Sequence, residues 1–329
     1  MRRTASIATV VGVGLAIGSP FLLGSGNVLA GLRDVPLQMM LILAGLAAVS
    51  GVAKAGKLQV LLASLGQRPV FLRTLAISLA TDFAFLSSPA GAAGYVVNAA
   101  LLRNSGISWV VATAVVGTEQ AIDLVFFALA IPVAAVSGLG PLMQVAPRLS
   151  GSVYLVLLPI ALSASGTLWC CRKRLAVAIH ALACTVPWLK GKQERLNELL
   201  AELRTQVDAL LHGDARRNLA LLLLTTLQWL SRYGILWIAL LGLGYRLPFG
   251  FVVALQAGVL HLAQWTGIPA GGGSADMALA AALAPWVPSS IMVTALILWR
   301  SATLYLPLLA GVLSLAALTG RWRATAKAA

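Results

Sequence analysis

Ten acidic residues stand in this chain of 329. Five of them, Glu194, Glu198, Glu202, Asp208 and Asp214, lie in one polar stretch, and Asp34 lies in a short loop. The remaining four, Asp82, Glu119, Asp123 and Asp276, sit inside apolar runs. A charge at the centre of a bilayer costs about 2.5–3.5 kcal/mol on insertion scales. Four uncompensated acids would together cost on the order of 10 kcal/mol. They must therefore pair, face a polar cavity or carry protons. Glu119 and Asp123 are four residues apart and share one helix face. Their charges repel there, so one of the two is a candidate to hold a proton. Arg232 and Arg300 also fall within apolar runs and are the natural cationic partners. Shifted by 180 residues, Arg300 corresponds to Gln120, beside Glu119. The expectation is that Glu119 and Arg300 approach each other. That pair would either serve a translocation site or only fix helix packing. Asp276, just after a Pro/Gly patch, could equally cap a short helix.

Other chemistry is missing. "GVAKAGKL" at 51–58 imitates a phosphate-binding loop, but Leu58 stands where Ser or Thr would bind magnesium, and no strand precedes it. His180, His212 and His261 have no metal spacing. His261 could shuttle protons or be a neutral packed imidazole. Cys170, Cys171 and Cys184 also lack a metal spacing and read as plain thiols. No catalytic triad can be assembled, no cofactor is expected, and nothing marks the chain as an enzyme.

The elements that must position these charges are membrane helices. Hydrophobic residues make up 59% of the chain, mean hydropathy is +0.90, and only 10% of residues are charged. Soluble domains carry about 25% charged residues. The net charge of +14 does not point to nucleic acid, because the bases cluster between apolar runs. Apolar runs lie near 5–24, 36–54, 70–88, 108–136, 151–171, 218–241, 249–268 and 290–317. Two shorter ones, near 94–107 and 275–287, follow Pro/Gly patches. The N-terminal run resembles a signal peptide but reads better as an uncleaved first span.

Positive residues favour the cytoplasmic side. The segment 172–217 holds nine Lys/Arg. Arg2 and Arg3, the group Lys54, Lys57, Arg68 and Arg73 after the second span, and Arg321, Arg323 and Lys327 want the same side. Treating 70–88 as a full span, with only a loop after it, puts the nine bases outside. The parity is repaired if 70–107 is a re-entrant hairpin turning at "SSPAGAAG". A second hairpin over 249–287, turning at "GIPAGGGSAD", puts both termini inside. Only Arg33, Arg148 and Arg246 then fall outside. The expected fold is an all-α polytopic membrane bundle in one domain, 1–329, with about six full spans and two re-entrant hairpins. Units 36–136 and 218–317 form an inverted repeat, in which "PAG" at 89–91 superposes on "PAG" at 269–271. Pro/Gly breaks at matching places in two halves are the pointer to a transporter-type site. A cytoplasmic amphipathic helix is expected over 191–213.

With these motifs, "SSPAGAAGYVVNAALLRNSGIS", "AVVGTEQAIDLVFF", "GIPAGGGSADMALAAAL" and "LILWRSATLYLPLLAGVLSL", the sequence resembles the transmembrane region of lysylphosphatidylglycerol synthase, the flippase-like domain family. Carried over residue by residue, the resemblance implies a site at Pro89, Gly91, Gly94, Glu119, Asp123, Pro269, Gly271, Gly272, Gly273, Asp276 and Arg300. The reading of the charges adds Asp82 and Arg232. The sequence departs from the family pattern at Tyr95 and Asn98, at Gln120, and at Asp276 where a glutamate is usual. In two-part members lysine transfer belongs to a separate soluble domain, so aminoacyl transfer is not implied. The resemblance implies lipid translocation between leaflets. The expected partners are membrane lipids, anionic or phosphate-bearing among them, with no nucleic acid. The expected location is a bacterial cytoplasmic membrane. The alternative is a membrane subunit or enzyme of lipid-linked sugar, isoprenoid or hopanoid synthesis. A passive scaffold would leave four intramembrane acids unexplained.

Overall fold

A computed structural model describes residues 35–137, 214–264 and 266–328, with isolated positions elsewhere. The expected spans near 5–24 and 151–171, the amphipathic helix near 191–213 and all three cysteines lie outside the described residues. Within them, every regular element is helical. Helix α1 (Leu37–Ser64) is followed by α2 (Phe71–Leu86), a one-turn 3₁₀ helix at Pro89–Gly91, α3 (Ala92–Arg103) and α4 (Trp109–Ser137). Next come α5 (Ala215–Gly242), α6 (Phe249–Gln264), a second 3₁₀ turn at Pro269–Gly271 and α7 (Ser274–Leu283). Helix α8 (Ser289–Arg300) passes through a π-helical turn (Ser301–Tyr305) into α9 (Leu306–Ala328).

Among the described residues, four stretches are long and apolar enough to cross a membrane: Leu37–Ser64, Trp109–Ala134, Ala215–Gly242 and Ser289–Gly320. Their outward faces carry exposed Leu and Val, Leu129, Leu223 and Leu309 among them. Lipid satisfies such faces, and the backbone must satisfy itself within each helix.

Helix ends follow local chemistry. Gly66 takes φ 75°, with Gly66 N–H donating to the Ala63 carbonyl and Gln67 N–H to the Leu62 carbonyl. That paired reversal closes a helix at a left-handed glycine. Gly106 and Gly244 close α3 and α5 in the same way. The apolar run by itself ends the second span near residue 54 and leaves Lys54 and Lys57 in a loop. Helix α1 instead continues to Ser64. Apolar and small residues continue past the lysines, and the stop signal is Gly66, not the charge.

The element bounds recur along the chain. Helices α1 and α2 start 178 residues before α5 and α6, and the first 3₁₀ turn and α4 start 180 before the second turn and α8. Packing recurs too. Helix α1 lies along α5, α2 packs on α9 as α6 packs on α4, and the two Pro-Ala-Gly turns pack on each other. One apolar core joins α1, α5, α6, α7 and α8 around Leu236, Leu279 and Trp299. Another joins α1 to α4 around Leu61, Leu102 and Val115.

Candidate functional site

The two turns interrupt the chain between successive helices. At the first, Ser88 Oγ accepts the Ala93 N–H at 3.1 Å. Gly91 takes φ 71° and lies against the Phe85 ring. A Cβ on Gly94 would stand 2.8 Å from Phe85 Cβ, so the return helix needs glycine to approach α2. At the second turn Ala270 is left-handed, with φ 53°, the one non-glycine among the described residues with positive φ. A side chain in that region costs roughly 1–2 kcal/mol.

Arg300 holds the second turn in place. Its Nη1 donates to the Ala270 carbonyl at 3.0 Å, while Nε and Nη2 donate to Asp276 Oδ1 and Oδ2 at 2.7 and 3.0 Å. Both side chains are buried. The expected approach of Glu119 to Arg300 is thus replaced by another pairing. Asp276, on the short α7, reaches the last residue of α8, and the guanidinium fork matches one carboxylate. Asp276 lies in the first turn of α7, and its carboxylate is engaged by Arg300.

Two lysines of α1 take the other acids. Lys54 Nζ bonds Asp82 Oδ1 on α2. Lys57, fully buried, bonds Asp123 Oδ1 at 2.6 Å and lies 3.6 Å from Glu119 Oε1. Trp229 Nε1, from α5, also donates to Asp123 Oδ1 at 3.0 Å. An ammonium this deep is sustained by its carboxylates, since desolvation would otherwise oppose its charge. Arg232 Nη2 donates to the Thr303 carbonyl, within the π turn, at 3.2 Å. A π turn frees backbone groups from the regular ladder and often marks a functional site.

Most of these charges line a cavity of about 340 Å³. That volume is in the range of small-molecule sites. Asp82, Gly91, Gly94, Glu119, Asp123, Arg232, Gly271 and Arg300 all line it, and so does Lys54. Pro89, Pro269, Gly272, Gly273 and Asp276 are not on its wall. The two prolines begin the 3₁₀ turns, Gly272 and Gly273 lead into α7, and Asp276 stands behind Arg300. His261 lines the cavity too, with Nδ1 donating to the Ala257 carbonyl at 2.7 Å and its ring edge-on to Phe127. Both contacts fix the orientation of the ring. Sequence reasoning misses Lys54, Lys57 and Trp229. The signal it offers is the pair Lys54 and Lys57, three apart in an otherwise apolar run, because that spacing puts both on one helix face.

Among curated proteins, none matches the sequence. The family model described as the lysylphosphatidylglycerol synthase TM region matches residues 9–311, nearly the whole chain. Both turns and every charge of the cavity fall within that match, and the chain belongs to this family of membrane domains.

Proposed function

We propose that the protein moves a polar-headed lipid between the leaflets of a bacterial cytoplasmic membrane. The observation that carries this reading is the charged cavity between two broken helix pairs, whose helices present apolar faces outward. A headgroup would travel through the cavity while its chains stay in lipid. Family membership supports a lipid-related role.

In this reading α2 with α3, and α6 with α7, are re-entrant hairpins that enter and leave on one side. The recurrent bounds and reciprocal packing of the two halves support an inverted repeat. The full topology is then about six spans and two hairpins in one domain, 1–329, with both termini in the cytoplasm. Ligand sites at the interface of two inverted units, lined by interrupted helices, are the usual arrangement in transporters.

The test is reconstitution. Purified protein in liposomes is given fluorescent lipids of anionic, zwitterionic and cationic headgroup, and leaflet exchange is followed by dithionite quenching. Exchange above that of protein-free vesicles for at least one class is expected. Rates equal to empty vesicles for every class overturn the proposal.

A further inference from the structure

The charges on the cavity wall, together with Lys57 and Asp276 paired to them from behind it, divide unevenly between two groups. On one side stand Lys54 and Lys57 from α1, Asp82 from α2, and Glu119 and Asp123 from α4. Two ammonium groups there face three carboxylates. On the other stand Arg232 from α5, Arg300 at the end of α8, and Asp276 from α7. Two guanidinium groups there face one carboxylate. Tyr95 on α3, Tyr233 on α5 and His261 on α6 are the other titratable groups on the wall.

Each surplus can be assigned to a residue. Asp82 has Lys54, and Asp123 takes both the short Lys57 bond and the Trp229 N–H. Glu119 is left with the longer Lys57 approach, is 1% exposed, and its Oε1 has no hydrogen-bond partner. Opposite, Arg300 is occupied by Asp276 and the Ala270 carbonyl. Arg232 bonds a neutral carbonyl, and no carboxylate among the described residues lies within ion-pair distance of it. One negative and one positive surplus thus share one cavity.

We propose that Glu119 is a proton-binding site whose occupancy is linked to an anionic phosphodiester headgroup held by Arg232. This rests on the lipid-transport reading and deepens it. In the empty cavity the Glu119 carboxylate and the Arg232 guanidinium offset each other. A phosphodiester monoanion arriving at Arg232 removes that offset. A proton taken from water onto Oε1, the atom without a hydrogen-bond partner, then restores the charge balance of the cavity. Binding linkage is reciprocal, so a proton on Glu119 tightens the anion by the factor that the anion tightens the proton. A proton gradient would thereby drive a lipid carrying one negative charge.

The experiment is calorimetric titration of the full chain in non-ionic detergent with dihexanoyl phosphatidylglycerol. It is repeated in buffers of different ionisation heat, between about pH 6 and 8. Uptake approaching one proton per lipid is expected, with affinity rising as pH falls. Glu119→Gln should bind with no uptake and no pH dependence, and Arg232→Gln should weaken binding more than tenfold. The wild-type proton count decides the matter even if a variant fails to fold. Binding without proton uptake overturns the proton site and leaves lipid transport standing, as does uptake of sodium instead. Equal uptake with dihexanoyl phosphatidylcholine overturns the link to net negative charge. No binding of either lipid overturns both readings. Equally tight binding of deacylated glycerophosphoglycerol, with the same uptake, supports the proton site and makes the anion's source water-soluble.

Discussion

Arg300 and Asp276 face each other fork to fork, with Nε to Oδ1 at 2.7 Å and Nη2 to Oδ2 at 3.0 Å. The third donor of the same guanidinium secures the carbonyl of Ala270, the residue whose backbone is left-handed. A single side chain thus ties the second broken turn, the short return helix and the last long helix together.

Removing either partner leaves the other charge buried and unpaired, which costs about 3–5 kcal/mol. Arg300→Ala and Asp276→Ala should each lower the unfolding temperature sharply in detergent micelles. Replacing both with leucine should recover much of the loss, since a buried pair is often no more stable than apolar residues of similar size. Recovery should stop short of wild type, because the Ala270 carbonyl loses its donor. An Arg300→Ala protein that melts like the wild type would refute this role.

Ala270→Gly should stabilise the protein. The left-handed region costs an alanine roughly 1–2 kcal/mol, and glycine adopts it freely at the expense of about 0.5–1 kcal/mol of chain entropy. A net gain of up to about 1.5 kcal/mol is expected from those two figures. Gly271→Ala should do the reverse, because φ is 62° and the new Cβ would stand 3.0 Å from Ala263 Cβ. Equal melting temperatures for the two variants would mean that the turn relaxes more easily than its dihedrals imply.

Close approach at the first turn predicts a contrast among glycines. In Gly94→Ala the new Cβ meets Phe85 Cβ at 2.8 Å and Phe85 Cα at 3.1 Å, so α2 and α3 must part. Overpacking of this kind costs about 1–3 kcal/mol. At Gly117, on α4, an added methyl group would meet nothing within 4 Å. Gly117→Ala should be neutral or gain up to about 1 kcal/mol from helix propensity. Thermal melts of the two variants check the ordering, and a Gly117→Ala that loses as much as Gly94→Ala would contradict it.

The broken turns are legible in sequence because Pro and Gly act locally. Pro89 and Pro269 restrict their own φ, and Gly91 and Gly271 supply the positive φ of the turn. The four long apolar runs within the described residues are legible for the same reason: composition over a window needs no knowledge of neighbours. The charge pairs are not. Lys54 meets Asp82 across 28 residues of sequence, Lys57 meets Asp123 across 66, and Arg300 meets Asp276 across 24. Lysines late in an apolar run look like its end unless their acids are known to be alongside. Pairing Glu119 with Arg300 follows from the register of the two halves, but register places backbones, and the nearer carboxylate on α7 takes the guanidinium.

The two lysines of α1 should behave differently although they are three residues apart. Lys57 is fully buried and serves both Glu119 and Asp123, whereas Lys54 and Asp82 retain side-chain exposures of 17% and 18%. Water reaching the second pair screens it and hydrates what a deletion leaves behind, so its loss costs less. Lys57→Met strands two carboxylates in the interior, a loss in the range of about 3–5 kcal/mol for a broken buried pair. Lys54→Met should cost clearly less. Adding Glu119→Gln and Asp123→Asn to Lys57→Met should restore folding by removing the stranded charges. Equilibrium unfolding of the wild type and these three variants separates the cases, and a Lys54→Met protein as damaged as Lys57→Met would show that burial does not set the difference.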